Sequence, residues 1–150
     1  MTLFEEIRTF LTEDEWPFSQ LEGKTVFRTA YHGKNGTFTC YAQAREEQFI
    51  FLFYAVCPIN VPEDKRQVVA EFVTRANYGM YVGNFELDFT DGEVRYKTSL
   101  DVENAELPQP VIKNLVYAAV WTMDRYLPGL MKIIYGGAVP TAVLEEIEGE

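Results

Sequence analysis

Helical spacing marks the first apolar positions of the chain. Apolar residues recur at intervals of three and four, which is the pattern of a helix with one buried face. They are Leu3, Phe4, Ile7, Phe10 and Leu11. Thr2 and Glu5 have the spacing of a capping box, and Pro17 pushes the residue before it out of helical geometry. The pattern therefore predicts a first helix over residues 2–13.

Two strand-like segments follow on either side of the sequence GKNG. They are KTVFRTAYH (24–32) and TFTCYAQAR (37–45). The pair Asn35-Gly36 is a strong signal for a hairpin with a two-residue turn, and the turn fixes the register of the two strands. In that register Tyr31 opposes Cys40, Thr29 opposes Ala42 and Phe27 opposes Ala44. Large residues then oppose small ones on one face.

The third strand-like segment, QFIFLFYAV (48–56), is apolar on both faces. Successive side chains of a strand point to opposite sides. One face would carry Phe49, Phe51 and Phe53, and the other would carry Ile50, Leu52 and Tyr54. We therefore predict a central strand that is covered on both faces.

A second helix is predicted after the loop that contains Pro62. Its buried stripe would consist of Lys65, Val68, Val69, Phe72, Val73 and Ala76. Gly79 stands where a helix commonly ends in the left-handed conformation, so we expect it to cap this helix.

A second hairpin is predicted in NFELDFTDGEVRYKTSLD (84–101), with Asp91-Gly92 as its two-residue turn. One face would then pair Phe89 with Val94, Leu87 with Tyr96 and Phe85 with Thr98. The other would pair Asp88 with Arg95 and Glu86 with Lys97. An acid beside a base stays ionised, so these charges indicate a solvated sheet face rather than a catalytic site.

The last long helical pattern covers residues 109–135, and Pro128 predicts a kink or break within it. Its apolar stripe is formed by Val111, Ile112, Leu115, Val116, Ala119, Val120, Met123, Tyr126 and Leu127. Tyr117, Trp121 and Arg125 lie on the polar side. These residue types are enriched in interface hot spots, so the three are candidate contacts for a protein partner. The alternative is that the first helix or the C-terminal tail covers them.

The element order is α-β-β-β-α-β-β-α. Sequential strands can all pair antiparallel, which predicts an α+β fold with a five-stranded antiparallel sheet and three helices. We expect a single domain over residues 1–135 and an acidic C-terminal tail over 136–150, with a short helix at 141–147. Three helices need not cover both faces of such a sheet. A second subunit could therefore cover part of the sheet.

Charge and composition narrow the possible partners. The chain has 150 residues, is 47% hydrophobic and carries a net charge of −10. An acidic chain without a Lys/Arg cluster argues against nucleic acid and against anionic membranes. No apolar run approaches the roughly 20 residues of a membrane span, and no secretory signal is recognised, so we expect a cytoplasmic protein. Cys40 and Cys57 are then expected to be reduced; one disulfide is the alternative.

Motifs for catalysis, cofactors and metals are absent from the sequence. His32 is the only histidine, and a zinc site needs three or four ligands. There is no nucleophile elbow and no phosphate-binding glycine loop. We therefore expect no cofactor, no metal and no enzymatic activity.

The segments EWPFSQLEGKTVFRT (15–29), EFVTRANYGMYVGNFELDFTDGEVRYKTSLDV (71–102) and LVYAAVWTMDRYLPGLM (115–131) resemble the YbjN family of bacterial proteins. The resemblance covers roughly residues 10–135. It implies a fold like that of the type III secretion chaperones, often dimeric, and a role as a regulator of sensory transduction. The family supplies no catalytic motif, so no catalytic residue is implied.

Two functions remain open at the level of sequence. The first is a non-enzymatic cytosolic regulatory or chaperone-like protein that binds a protein segment on an apolar surface as a homodimer. Grooves of this kind accept an amphipathic helix or an extended strand. The second is a small-ligand sensor with an apolar pocket between the sheet and the long helix.

Overall fold

A computed structural model of the chain describes residues 1–149. Within them the chain forms one six-stranded sheet and four α-helices, with 3₁₀ turns at Glu46–Gln48 and Glu63–Lys65. In chain order the elements are α1 (Leu3–Glu13), β1 (Phe18–Gln20), β2 (Val26–His32), β3 (Thr37–Arg45), β4 (Ile50–Val56), α2 (Arg66–Tyr78), β5 (Asn84–Leu87), β6 (Val94–Asp101), α3 (Gln109–Gly136) and α4 (Pro140–Glu148).

The α+β class and the antiparallel sheet are confirmed, but the predicted count of five strands and three helices is wrong. The additional strand is β1, which pairs with β2 at the edge of the sheet, with Phe18 opposite Thr29. It has only three residues and follows Pro17, so it shows no alternating pattern. The additional helix is α4, which begins one residue before the short helix expected at 141–147.

The sheet has the strand order β1-β2-β3-β4-β6-β5, and every neighbouring pair is antiparallel. One face carries the buried residues of each strand. Phe27, Ala42, Phe53 and Thr98 form one continuous row across four strands of this face. Helices α1, α2 and α3 pack against the sheet, and α4 packs against α2 and α3.

Both predicted hairpin registers are wrong by two positions. Thr29 opposes Cys40 in the first hairpin, and Phe85 opposes Tyr96 in the second. The connections contain residues 33–36 and 88–93. The N–H of Gly33 donates to the carbonyl of Gly36 at 2.8 Å, so the first turn is centred on Lys34 and Asn35 rather than on Asn35-Gly36. Because side chains alternate with a period of two, the predicted faces survive this shift. Phe89 does not follow its predicted face, since it lies in the second connection with 51% of its surface exposed.

The central position predicted for β4 is confirmed, but its expected cover on both faces is not. Phe51, Phe53 and Ala55 are fully buried under the helices. Leu52 and Tyr54, on the opposite face, are only half-buried. The sheet therefore has an uncovered face at the middle of the molecule.

Helix α3 runs without interruption through Pro128, contrary to a break at that position. A proline has no N–H for the carbonyl four residues earlier, which here is that of Asp124. The side-chain amide of Asn35 donates to this carbonyl at 3.0 Å. A contact from the β2–β3 connection thus replaces the bond that the helix loses.

The other helix ends follow local rules in part. Thr2 caps α1 by accepting from the N–H of Glu5 at 3.1 Å, as predicted. The Glu46 carboxylate accepts from the N–H of Phe4 at 2.8 Å, which suits the positive end of a helix. Gly79 ends α2 with φ −98°, so the predicted left-handed cap is wrong there. The left-handed glycine cap occurs at Gly137, after α3, with φ 63°.

Among residues 1–149, none of the helices combines the length and the hydropathy that a membrane-spanning segment requires.

Candidate protein-binding surfaces

Trp121 is a large apolar side chain that is exposed on the polar side of α3. It is 61% exposed, and its position follows from the helical period, because the residues of the predicted stripe face the sheet. An exposed indole in the middle of a long, packed helix is held by a rigid backbone.

Tyr117, one turn before Trp121, is tied to the first helix. Its hydroxyl donates to Asp14 Oδ2 at 2.6 Å, and the indole N–H of Trp16 donates to the same oxygen at 2.9 Å. The Tyr117 ring lies 5.1 Å from the Trp121 ring and 5.9 Å from the Trp16 ring, measured between centroids. Burial raises the pKa of Tyr117, and the Asp14 carboxylate raises it further, to about 12.

Arg125, one turn after Trp121, is tied to the last helix. Its Nη2 donates to the carbonyl oxygen of Ile147 at 3.0 Å, and its guanidinium lies 5.7 Å from the centroid of the Tyr126 ring. The alternative considered from the sequence, cover by α1 or by the C-terminal tail, holds in part for Tyr117, which is half-buried beside α1. Arg125 is held by α4 but stays exposed. Trp121 remains exposed between these two anchored neighbours.

A cleft of about 450 Å³ opens beside Trp121, between α3, α4 and the β2–β3 connection. Its walls combine apolar groups with charges of both signs. The lining includes Lys34, Trp121, Arg125, Lys132, Glu146 and Ile147. Lys132 and Glu146 form an ion pair across it. The cleft is open to solvent, so it is suited to part of a larger partner.

The β2–β3 connection is fixed to α3 by Asp124. Asp124 accepts from the backbone N–H of Lys34 at 3.0 Å and from that of Asn35 at 2.8 Å. A side chain at Gly33 would overlap this carboxylate. Lys34 and Asn35 thus line the cleft through a contact that joins distant parts of the sequence. The pattern of the turn alone gave no signal of it.

The uncovered sheet face is a second candidate surface. Its centre is apolar and aromatic, with Tyr41 opposite Tyr54 and with Leu52 one pleat away. The Arg95 guanidinium lies 4.1 Å from the centroid of the Tyr54 ring, a cation–π geometry. Arg28 stands opposite Tyr41. This face thus joins half-buried apolar groups to basic ones on an otherwise acidic chain.

Glu86 partly neutralises the basic end of this face. Its carboxylate accepts from Arg95 Nε at 2.8 Å and from Lys97 Nζ at 3.1 Å. Partial burial raises the pKa of Glu86, but the hydrogen bonds and charges of Arg95 and Lys97 outweigh burial, so the pKa lies below its ordinary value. Glu86 thus contacts Lys97 as expected, but it stands opposite Arg95 in the register, and Asp88 lies in the connection.

The groups that could carry chemistry are scattered. Cys40 and Cys57 are free and buried, and burial raises the pKa of the Cys40 thiol to about 12. Nδ1 of His32 lies 3.1 Å from the Thr37 hydroxyl at the exposed end of β2. Within residues 1–149, no group of three or more His, Cys, Asp or Glu side chains is arranged to hold a metal ion.

The space between the sheet and α3 is filled by core side chains. Ile112, Ala119, Val120 and Met123 are fully buried there. The Thr98 hydroxyl donates to the carbonyl of Leu115 at 2.9 Å. Among the described residues, every buried side-chain nitrogen and oxygen has a hydrogen-bond partner. A ligand pocket needs unoccupied polar groups that converge on a cavity, so this packing favours a solid core.

The chain is similar to one protein family and to two solved structures. A family model named YbjN, described as "Putative bacterial sensory transduction regulator", matches residues 4–131. A search of curated protein sequences returns no significant match. The crystal structure of YbjN from E. coli, described as "a putative transcription regulator", has a TM-score of 0.64 at 14% identity, and the match covers 85% of this chain and 92% of that one.

A second similar structure is a chain in the crystal structure of the ExsC–ExsE complex. Its TM-score is 0.56 at 12% identity, and the match covers 85% of this chain and 96% of that one. At such identities the two structures show likeness of fold alone, and they confirm the predicted likeness to the secretion chaperones. The family model matches most of the sequence, and the chain therefore belongs to the YbjN family.

Proposed function

We propose that this protein is a non-enzymatic regulatory or chaperone-like protein of the cytoplasm that binds a segment of another protein. The observation that carries the proposal is the exposed Trp121 side chain beside the 450 Å³ cleft. Tyr117 is held by Asp14 and Arg125 by Ile147, so Trp121 is presented by a rigid surface. A preorganised aromatic anchor binds without first losing its own conformational freedom.

Tyr117, Trp121 and Arg125 are the proposed contacts. Trp121 would insert into the partner, because a large aromatic group buries much apolar surface and loses few rotamers. Tyr117 would support the indole from one side. Arg125 and Lys132 line the cleft on the other side and favour acceptor groups of the partner.

The fold relatives lend support of a limited kind. One structure with this fold is a complex, that of ExsC with ExsE. The same fold can serve unrelated functions, so the support for protein binding here comes from the surface itself. The packed interior between sheet and α3 offers no comparable support for a small-ligand sensor.

We further propose that the protein acts as a homodimer, with the uncovered sheet face in the interface. Tyr41, Leu52 and Tyr54 lie at the centre of this face, on strands that the helices cover from the other side. A second copy would remove this apolar surface from water.

The Trp121→Ala variant tests the proposed binding surface. We expect it to lose capture of a partner from native lysate of the source organism, because hot-spot truncations cost about 2 kcal/mol or more, roughly thirtyfold in affinity. The measurement is a pull-down with tagged protein, quantified by mass spectrometry against the wild type.

Tyr135→Ala is the matched control, since Tyr135 is also an exposed aromatic residue of α3 and lies outside the cleft. Both variants should unfold at the same denaturant concentration as the wild type, because both side chains are mostly exposed. Equal loss of capture in the two variants, or no loss in either, would contradict the assignment to Trp121.

A further inference from the structure

Helix α4 is amphipathic and too short to be stable alone. It has nine residues, whereas isolated helices below about 12–15 residues are marginal in water. Val143 and Leu144 are buried, and Ile147 packs against the core one turn later. Glu145, Glu146 and Glu148 occupy its outer side. The helical form of α4 therefore depends on the surface that receives it.

That surface is a groove between α2 and α3, with a notch at Gly129. A Cβ atom at Gly129 would lie 2.7 Å from Val143 Cγ1 and 2.7 Å from Ile147 Cδ1. It would also lie 3.2 Å from Cζ of Phe72, on α2. Only glycine at this position lets the apolar side chains of α4 sit this close to α3.

Basic and hydroxyl groups of α3 meet the acidic side of α4. Lys132 pairs with Glu146, and the Tyr126 hydroxyl donates to Glu148 Oε2 at 2.7 Å. Arg125 donates to the carbonyl of Ile147, which is one of the free carbonyls at the end of the helix. The groove thus has an apolar floor and a rim that is complementary to an acidic helix.

The connection between α3 and α4 is short and contains two glycines. Gly136 and Gly137 follow each other, and a Cβ atom at either position would meet no other atom within 4 Å. The residues that match the YbjN family model end at 131, so α4 lies outside the matched region. The helix is therefore a short segment that follows a capped turn, in which the N–H of Ala138 donates to the carbonyl of Lys132 at 3.1 Å.

We propose that the α2–α3 groove is a docking site for acidic amphipathic helices, and that α4 is its internal occupant. A partner helix with the same pattern of Val/Leu and Ile on one side and glutamates on the other displaces α4. This inference rests on the proposed function, since it names the kind of protein segment that would bind. The two surfaces are adjacent, because α4 also borders the Trp121 cleft. Release of α4 joins the cleft and the groove into one longer surface.

The test uses the full-length chain and a fluorescein-labelled peptide of residues 138–149. The double variant Val143→Asp, Leu144→Asp places charges on the buried side of α4 and releases it. We expect the peptide to bind this variant, as measured by fluorescence anisotropy. The wild-type protein should bind the peptide at least about tenfold more weakly. Its groove is open in only a fraction of the molecules, and the apparent affinity is reduced by that fraction.

Thr141→Asp, Ala142→Asp is the matched control, since it adds the same charges at exposed positions of α4 and should behave as the wild type. A peptide that carries both the Val143→Asp and the Leu144→Asp changes should bind none of the proteins. The proposal is overturned if the unchanged peptide binds neither wild type nor released variant, or binds both equally. Neither outcome depends on Trp121 or on capture of a partner, so it is distinguishable from failure of the proposed function.

Hydrogen exchange of the wild-type chain gives a second readout that needs no variant. The amides of α4 should exchange faster than those of α2 and α3, and excess peptide should accelerate them further by replacing α4 in the groove. Equal protection of α4 and α3, unchanged by the peptide, would overturn the proposal even if the double variant failed to fold.

Discussion

Tyr117 connects the Trp121 surface to the first helix through a single hydroxyl. The neutral hydroxyl donates to Asp14, whereas a phenolate beside the same carboxylate would be repelled by it. Burial and Asp14 accordingly hold the pKa of Tyr117 at about 12 in the folded protein, against about 10 for an unperturbed tyrosine. Because the folded pKa is the higher one, this hydroxyl stabilises the fold fully below pH 10, and the contribution is lost as the pH rises from 10 to 12.

We expect Tyr117→Phe to flatten this alkaline loss of stability. Near pH 8 the variant should be less stable by about 1 kcal/mol, the net value of one hydrogen bond. The difference from the wild type should shrink as the pH approaches 12. Urea unfolding at several pH values measures both effects. Tyr135→Phe is the control, because Tyr135 is exposed. A constant difference at every pH would refute the assigned role of Asp14.

At the level of single residues, the sequence indicated where Trp121 would lie but not how its neighbours would be held. The helical period placed Tyr117, Trp121 and Arg125 together on the polar side of α3. The bonds that distinguish them reach Asp14 and Ile147, which are far away in the chain. A pattern within one helix carries no information about such contacts.

Among the elements, the two hairpins explain both the success and the failure of local rules. Each contains a pair that is typical of a two-residue turn, yet neither turn is centred on that pair, and other segments bind both connections. The Asp124 carboxylate accepts hydrogen bonds from the backbone N–H groups of Lys34 and Asn35. Arg66 donates to the carbonyl of Phe89 at 2.9 Å, and a second tertiary bond of 3.1 Å joins Asn60 to the carbonyl of Asp91. Tertiary hydrogen bonds therefore determine the conformation of the two connections. The alternation of side chains along the strands determines which residues share a face.

Gly92 shows how closely the second connection is packed. It has φ 82°, and its carbonyl accepts from the N–H of Val61 at 2.8 Å. A Cβ atom would lie 2.8 Å from that nitrogen and would overlap the carbonyl of Val61. We expect Gly92→Ala to lower the free energy of unfolding by about 2–4 kcal/mol, the sum of left-handed strain and overpacking.

Gly79→Ala is the matched control for that variant. Gly79 has φ −98°, and a Cβ atom added there would meet no other atom within 4 Å. Alanine there should change stability by less than about 1 kcal/mol, in the stabilising direction, because it restricts the unfolded chain. Urea unfolding of both variants checks the pair. Similar effects of the two substitutions would show that the contact of Gly92 with Val61 is not decisive.

For the whole molecule, the sequence supported the α+β class, the antiparallel sheet and the central position of β4. It could not show which face of β4 lacks a cover, because Phe51 and Leu52 are both apolar and the strand pattern is symmetric. The answer depends on the docking of all the helices on one side. On the side of β4 that faces away from the helices, Leu52 and Tyr54 are therefore only half-buried.

This one-sided sheet is the basis of the proposed dimer, and Leu52→Lys tests it. Light scattering at micromolar concentration should find the wild type as a dimer. The substitution would place an unpaired charge in the interface, which costs about 3 kcal/mol and raises the dissociation constant about a hundredfold. Tyr135→Lys adds the same charge at an exposed site of α3 and should leave the dimer intact. A monomeric wild type would refute the dimer. A Leu52→Lys variant that dimerises as tightly as the wild type would exclude this face, since no buried interface there could accept that charge without weakening.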